Sequence, residues 1–133
     1  MDNSVHTNWI SEQQKNESSI IAIDFDGVLH KNSKGYYDGT IYDEPVKGAF
    51  NALKYLSSNY TLVIYSFKGT PDRPLVNGKD GIELIWDWLK VNKVDQYITD
   101  VVRYKPNAMI YIDDKGYRFN NWEETLKFLK KFE

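Results

Sequence analysis

The chain has 133 residues, of which 41% are hydrophobic and 27% charged, and its formal net charge is −2. This is enough apolar sequence for one globular domain with its own core, and the near-neutral charge gives no general attraction to nucleic acid or to an anionic membrane. The absence of cysteine excludes disulfides and thiolate chemistry, and His6 and His30 are too isolated to predict a zinc centre.

The first segment of the chain, residues 1–18, is polar and predicts a poorly ordered leader. Residues 19–133 are therefore expected to form a single domain. The leader lacks the apolar core of a signal peptide, and no apolar run in the chain is long enough to cross a membrane. We accordingly expect no membrane contact and a cytoplasmic location.

Strand-like and helix-like segments then alternate along the chain. A buried strand over 20–25 is followed by a polar flap over 30–43 and by a helix that begins at Glu44-Pro45 and ends near residue 57. The apolar residues of this helix recur with the helical period and so predict one buried face.

The second half of the chain continues the alternation. We predict a strand over 61–65, a helix that starts with a capping box at Asp80, strands over 97–102 and 109–112, and a last helix capped by Asn121. The strands are apolar on both faces, which is typical of a parallel sheet covered on both sides. The pattern therefore predicts an α/β protein with a three-layer Rossmann-like fold and a central, mostly parallel sheet.

Two aspartates one residue apart, Asp24 and Asp26, stand at the end of the first predicted strand. Since side chains alternate along a strand, both carboxylates should project the same way and repel each other. Such a pair requires compensation by a proton, a cation or a catalytic task. The alternative is a β-hairpin, because Asp26-Gly27 between apolar residues is also a common turn signal.

Polar residues also follow the other predicted strands. Ser66 follows the second strand, Lys105 stands a few residues beyond the third, and Asp113 and Asp114 follow the fourth. A hydroxyl and an ammonium group bind phosphate oxygens, and clustered carboxylates bind Mg²⁺. Each residue alone could belong to an ordinary turn or loop, but ligands of open α/β sheets bind where these residues fall together, at the carboxyl ends of strands.

These four segments, in this order, resemble the motifs of the haloacid dehalogenase (HAD) superfamily. Asp24-Phe-Asp26-Gly-Val is similar to its first motif, and Leu62-Val-Ile-Tyr-Ser66 is similar to the second. Lys105-Pro106 resembles the third, and Ile110-Tyr-Ile-Asp113-Asp114 resembles the fourth. The resemblance covers about residues 20–119, and the second aspartate is the family feature that points to phosphoryl transfer rather than dehalogenation.

The resemblance implies a Mg²⁺-dependent phosphomonoester hydrolase. Asp24 would be the nucleophile that forms an aspartyl-phosphate, and Asp26 would be the general acid and base. Ser66 and Lys105 would bind phosphate oxygens. The residues implied for magnesium binding are Asp24, Asp26, Asp113 and Asp114. Asp24 and Asp113 would contribute their carboxylates and Asp26 its backbone carbonyl, while Asp114 would act indirectly through water or Lys105.

The spacing of the motifs leaves no room for a cap domain. Only 39 residues separate Asp26 from Ser66, and 38 separate Ser66 from Lys105, and both intervals must hold a helix. The chain is therefore identified as a capless member with an open site. Its phosphorylated substrate could be a nucleotide, a nucleic-acid end, a sugar phosphate or a phosphoprotein, unless oligomerisation supplies a lid.

Four further residues are candidates for substrate binding. Tyr36 and Tyr37 could stack on a base, and Lys68 and Arg73 could bind phosphates. The alternative for the tyrosines is that they only pack the flap onto the body of the protein. Two other functions also stay open at this point, a phospho-aspartate receiver domain and a non-catalytic phosphate-binding module. The order of the motifs speaks against the receiver, and the full set of key residues speaks against the binding module.

Overall fold

A computed structural model describes residues 19–35, 39–69, 73–113 and 117–132. Within them, five strands form one sheet in the order β3-β2-β1-β4-β5, and every neighbouring pair is parallel. The strands are β1 Ile20–Asp24, β2 Thr61–Tyr65, β3 Asp100–Val102, β4 Ile110–Asp113 and β5 Tyr117–Arg118. The chain therefore has an α/β fold with a parallel sheet flanked by helices, consistent with the predicted Rossmann-like three-layer architecture.

Parallel pairing rules out the hairpin alternative for Asp26-Gly27. Strand β1 lies in the middle of the sheet and pairs with β2 on one side and β4 on the other. The register places Ile23 beside Ile64 and Ile112. The residues that follow these three therefore leave the sheet side by side.

The α-helices of the described residues are α1 Ala49–Ser57, α2 Gly81–Val91 and α3 Trp122–Leu129. The capping box predicted at Asp80 is present. The Asp80 side chain accepts a hydrogen bond from the backbone N–H of Glu83, and the Glu83 side chain accepts one from the backbone N–H of Asp80. The predicted cap at Asn121 is also confirmed, since its side chain accepts the backbone N–H of Glu124 at 2.9 Å.

The predicted start of the first helix at Glu44-Pro45 is wrong. Residues 44–46 instead pair with the segment after β1, where the N–H of Lys31 donates to the carbonyl of Glu44 at 3.0 Å and the N–H of Val46 donates to the carbonyl of Leu29 at 2.8 Å. Helix α1 begins only after Gly48. This local pairing ties the flap to the end of β1.

Strand bounds differ from the prediction at the third strand and after the fourth. Residues 95–97 form a 3₁₀ turn, so β3 starts at Asp100 rather than at residue 97. Strand β4 includes Asp113 as its last residue, and the short β5 beside it was not predicted.

Both faces of the central strands are buried, as their sequences predicted. The larger cluster includes Ile21, Ile23, Leu62 and Ile64 from the sheet, together with buried apolar residues of helices α1, α2 and α3. The smaller cluster, on the opposite face, contains Ile20, Ala22, Val63, Tyr65 and Val102. Helices α1, α2 and α3 all contribute to the larger cluster, whereas Ala108 and Tyr111 are the partly buried residues packed against the smaller one.

No helix in the described part of the chain has the length and apolar character needed to span a membrane. The predicted leader, residues 1–18, lies outside the described residues.

Candidate active site

A cavity of about 220 Å³ opens at the carboxyl ends of β1 and β2. Five predicted site residues line it, namely Asp24, Asp26, Ser66, Lys68 and Arg73. Asn32 and Phe67 complete the described lining. Two carboxylates, a hydroxyl and two cations therefore share one water-accessible space, which is the combination needed to bind and transform a phosphate ester.

The first strand and the turn after it position the two aspartates. Asp24 is the last residue of β1, and its Oδ1 accepts the backbone N–H of Phe25 at 2.8 Å. Asp26 stands two residues later, and its carboxylate has one neighbour on each oxygen: the His30 Nδ1 at 2.9 Å from Oδ1 and the Lys68 Nζ at 3.3 Å from Oδ2. The orientation of the Asp26 carboxylate is thus fixed from two sides.

Ser66 follows β2 and is buried at the base of the cavity. Its backbone N–H donates to the carbonyl of Val102 at 3.0 Å, and its Oγ accepts the backbone N–H of Lys68 at 3.1 Å. A 3₁₀ turn over Phe67–Gly69 then carries Lys68 back toward Asp26. The turn after β2 therefore supplies both a hydroxyl and a cation to the cavity.

Helix α2 packs closely against this turn. A Cβ built on Gly81 would lie 2.2 Å from the carbonyl oxygen of Lys68, so only glycine permits the observed approach. Lys68 is nearly buried, with 9% of its side chain exposed. The first residue of α2 thus helps to determine where the Lys68 backbone lies.

Lys105 and Asp113 form a separate pair beside the cavity. The Lys105 Nζ lies 2.8 Å from Oδ2 of Asp113, and the Tyr65 hydroxyl donates to the same oxygen. The Lys105 ammonium also lies 4.4 Å from the centre of the Tyr111 ring. Neither Lys105 nor Asp113 is among the described residues that line the cavity, and the cation nearest to Asp26 is Lys68.

The donor set at the strand ends fits a magnesium ion. Asp24 and Asp113 end neighbouring parallel strands, and Mg²⁺ is commonly held by one or two carboxylates while it keeps water and substrate phosphate as its other ligands. In the described ranges no three His, Cys, Asp or Glu side chains form a metal-binding group, so these residues do not build an all-protein cage. Asp114, the other predicted metal residue, lies outside the described residues.

The described residues of the flap, 30–35 and 39–43, include the cavity residue Asn32, and Tyr42 connects several of them. The Tyr42 hydroxyl accepts the backbone N–H of Lys34 at 2.7 Å and lies 3.1 Å from both Asn32 Oδ1 and the Gly35 carbonyl. Its ring packs edge-on against His30. Tyr36 and Tyr37, the tyrosines predicted to contact substrate, lie outside the described residues.

Sequence reasoning missed three residues of this region. Asn32 and Phe67 line the cavity, and His30, which seemed isolated in the sequence, contacts Asp26. His30 stands four residues after Asp26, across an Asp-Gly turn. This spacing is the one local signal that could have indicated the contact between His30 and Asp26.

Comparison with models of known protein families, with curated proteins and with solved structures gives no match. The resemblance to the HAD superfamily therefore stays a prediction from the four sequence motifs.

Proposed function

We propose that this protein is a phosphomonoester hydrolase of the capless HAD type, dependent on Mg²⁺, that works through an aspartyl-phosphate. The observation that carries the proposal is the cavity in which Asp24 and Asp26 face Ser66, Lys68 and Arg73. In this proposal the protein acts in the cytoplasm on a phosphorylated small molecule, nucleic-acid end or protein.

The reaction begins with attack by a carboxylate oxygen of Asp24 on the phosphorus atom. The bond to the leaving-group oxygen breaks, and that oxygen takes the electron pair and a proton from Asp26. Asp26, now ionised, then removes a proton from a water molecule that attacks the phosphorus of the aspartyl-phosphate. Inorganic phosphate leaves, Asp24 is restored, and Asp26 again carries its proton.

The cations and the hydroxyl of the cavity stabilise the charge on the transferring phosphoryl group. Ser66, Lys68 and Arg73 bind its oxygens, and the closeness of Lys68 to Asp26 places a positive charge beside both the phosphate and the acid. Lys105 has a different task, because its ion pair with Asp113 keeps a buried carboxylate compensated.

Asp24 and Asp113 are the side chains that would hold Mg²⁺, with Asp26 and Asp114 assigned to the same centre by the family resemblance. The ion supplies positive charge that offsets the carboxylates and the phosphate.

The proposal is tested by hydrolysis of 4-nitrophenyl phosphate with and without Mg²⁺. We expect magnesium-dependent turnover in the native protein and its loss, by a factor of about 10³ or more, in Asp24→Asn. Asp95→Asn is the matched control, because Asp95 precedes β3 and so lies at the opposite end of the sheet.

Two outcomes would contradict the proposal. Turnover that survives in Asp24→Asn would exclude Asp24 as the nucleophile. A chain that accepts phosphate from a small phosphodonor on Asp24 and retains it, without hydrolysing any phosphomonoester, would instead be a receiver-like phosphoprotein.

A further inference from the structure

His30 is a buried histidine that the mechanism above does not use. Its side chain is 0% exposed. The ring stacks on Phe25 with centroids 5.4 Å apart and an angle of 19° between the planes, and it meets Tyr42 and Trp88 edge-on at 5.3 Å and 5.9 Å. Three aromatic neighbours therefore prevent the imidazole from turning.

Both nitrogen atoms of this ring have partners. Nδ1 lies 2.9 Å from Oδ1 of Asp26, and Nε2 accepts the backbone N–H of Asp43 at 3.0 Å. A backbone N–H can only donate, so Nε2 must carry a lone pair. The ring is therefore neutral with its proton on Nδ1, and it donates that proton to Asp26.

The backbone around His30 is as constrained as its side chain. The turn at Gly27, with φ at +82°, brings the chain back so that the Gly27 N–H donates to the carbonyl of His30 at 2.7 Å. The N–H of His30 in turn donates to the carbonyl of Phe25 at 3.1 Å. The distance between His30 and Asp26 is thus determined by a closed loop of hydrogen bonds.

The two oxygens of Asp26 consequently have different surroundings. Oδ1 faces the buried His30 donor, and Oδ2 faces the Lys68 ammonium at 3.3 Å. The donor at Oδ1 belongs to a ring held by its aromatic neighbours, whereas the Lys68 side chain at Oδ2 also lines the cavity. His30 is therefore the partner that fixes the orientation of the Asp26 carboxylate.

We propose, on the basis of the phosphatase function above, that His30 is a positioning residue that fixes the Asp26 carboxylate for proton transfer to the leaving group. The imidazole keeps its own proton throughout. Without the Nδ1–H donor the carboxylate can rotate about its bond to Cβ. General acid assistance then weakens, although Asp24 can still attack.

The leaving group provides the test. A good leaving group such as 4-nitrophenolate needs little protonation, whereas phenolate needs more, so loss of acid positioning should affect phenyl phosphate more. In His30→Phe, which keeps a ring but has no donor, we expect kcat/KM for phenyl phosphate to fall about tenfold more than kcat/KM for 4-nitrophenyl phosphate. A purely structural defect would lower both by the same factor.

Two further variants separate the hydrogen bond from the packing. His30→Asn places an amide N–H near the former Nδ1. The ratio of kcat/KM for phenyl phosphate to kcat/KM for 4-nitrophenyl phosphate should therefore return most of the way to its native value. Tyr42→Phe keeps the ring that packs on His30 and removes only the hydroxyl in the flap, so the ratio should match that of the native protein.

A second measurement does not depend on activity. The ¹⁵N shifts of the His30 imidazole in the native protein, with His6→Gln used to identify the signal, should show a neutral ring protonated on Nδ1. A ring protonated on Nε2 or on both nitrogens would overturn the proposal, as would equal losses for the two substrates in His30→Phe. A native protein that hydrolyses neither substrate would refute the phosphatase function, while the ¹⁵N result would still test the geometry of His30.

Discussion

Replacing Gly81 with alanine should displace the backbone that carries Lys68. The new Cβ would lie 2.2 Å from the carbonyl oxygen of Lys68 and 2.3 Å from its carbonyl carbon, whereas ordinary contact begins near 3.4 Å. The obstacle is backbone rather than the end of a flexible side chain. Helix α2 and the turn after β2 must therefore move apart.

Two effects of this substitution oppose each other. Alanine favours the helix by up to about 1 kcal/mol relative to glycine, but overpacking of a close contact costs about 1–3 kcal/mol. The overlap is severe enough that the second effect should win, with a net loss of about 1–2 kcal/mol in the free energy of unfolding. Because the Lys68 Nζ lies 3.3 Å from Asp26, we also expect kcat/KM for an aryl phosphate to fall about 10- to 100-fold.

Urea denaturation and steady-state kinetics would measure the two effects. Gly78→Ala is the control, since Gly78 also needs backbone freedom, with φ at +77°, but a Cβ there meets nothing within 4 Å. It should lose about 1–2 kcal/mol of stability through backbone strain and keep its kcat/KM. Native stability and activity in Gly81→Ala would refute the argument, and so would an equal loss of activity in Gly78→Ala.

Three other predictions concern separate parts of the molecule. Trp122→Phe removes the buried indole N–H that donates to the Val28 carbonyl at 3.2 Å. The free energy of unfolding in urea should therefore fall by about 1–3 kcal/mol. An unchanged free energy of unfolding would show that this hydrogen bond contributes nothing to stability. The hydrogen bond from the Ser33 hydroxyl holds the pKa of Asp43 well below its usual range, and backbone N–H bonds act in the same direction. Ionised Asp43 therefore stabilises the fold above about pH 4, and this contribution is lost as the pH falls. The stability difference between the native protein and Asp43→Asn should therefore be constant above about pH 5 and narrow toward pH 2, and a difference independent of pH would be contrary to this reasoning. Phe67 is 62% exposed and lines the cavity. Phe67→Ala should therefore raise KM for an aryl phosphate about 3- to 10-fold without changing the urea midpoint. An unaltered KM would show that Phe67 does not contact the substrate.

The parts of the fold that local sequence determines were predictable. The apolar runs of β1, β2 and β4 identify buried strands, and the caps at Asp80 and Asn121 identify helix starts, because each signal depends on residues close together in the chain. The position of Asp24, Ser66 and Asp113 at strand ends follows from the same pattern. Parallel pairing then brings the first two to one cavity.

Contacts between distant residues were not predictable in the same way. The residues 44–46 have the composition of a helix start, yet they pair with the segment after β1, since that pairing satisfies backbone groups beside the site. The sequence also did not indicate that Lys68 would approach Asp26 while Lys105 paired with Asp113. The packing of α2 against the turn after β2 helps to place Lys68, and this contact joins residues that no local pattern relates.

The covalent intermediate on Asp24 is the step that distinguishes the proposed mechanism most directly from direct hydrolysis by water. We would quench the native protein during turnover of 4-nitrophenyl phosphate, reduce it with borohydride and examine its peptides by mass spectrometry. An aspartyl-phosphate is an acyl phosphate that borohydride reduces to homoserine, and we predict this change at position 24 and nowhere else. Hydrolysis without any modification at position 24, or modification of another aspartate in its place, would contradict the mechanism.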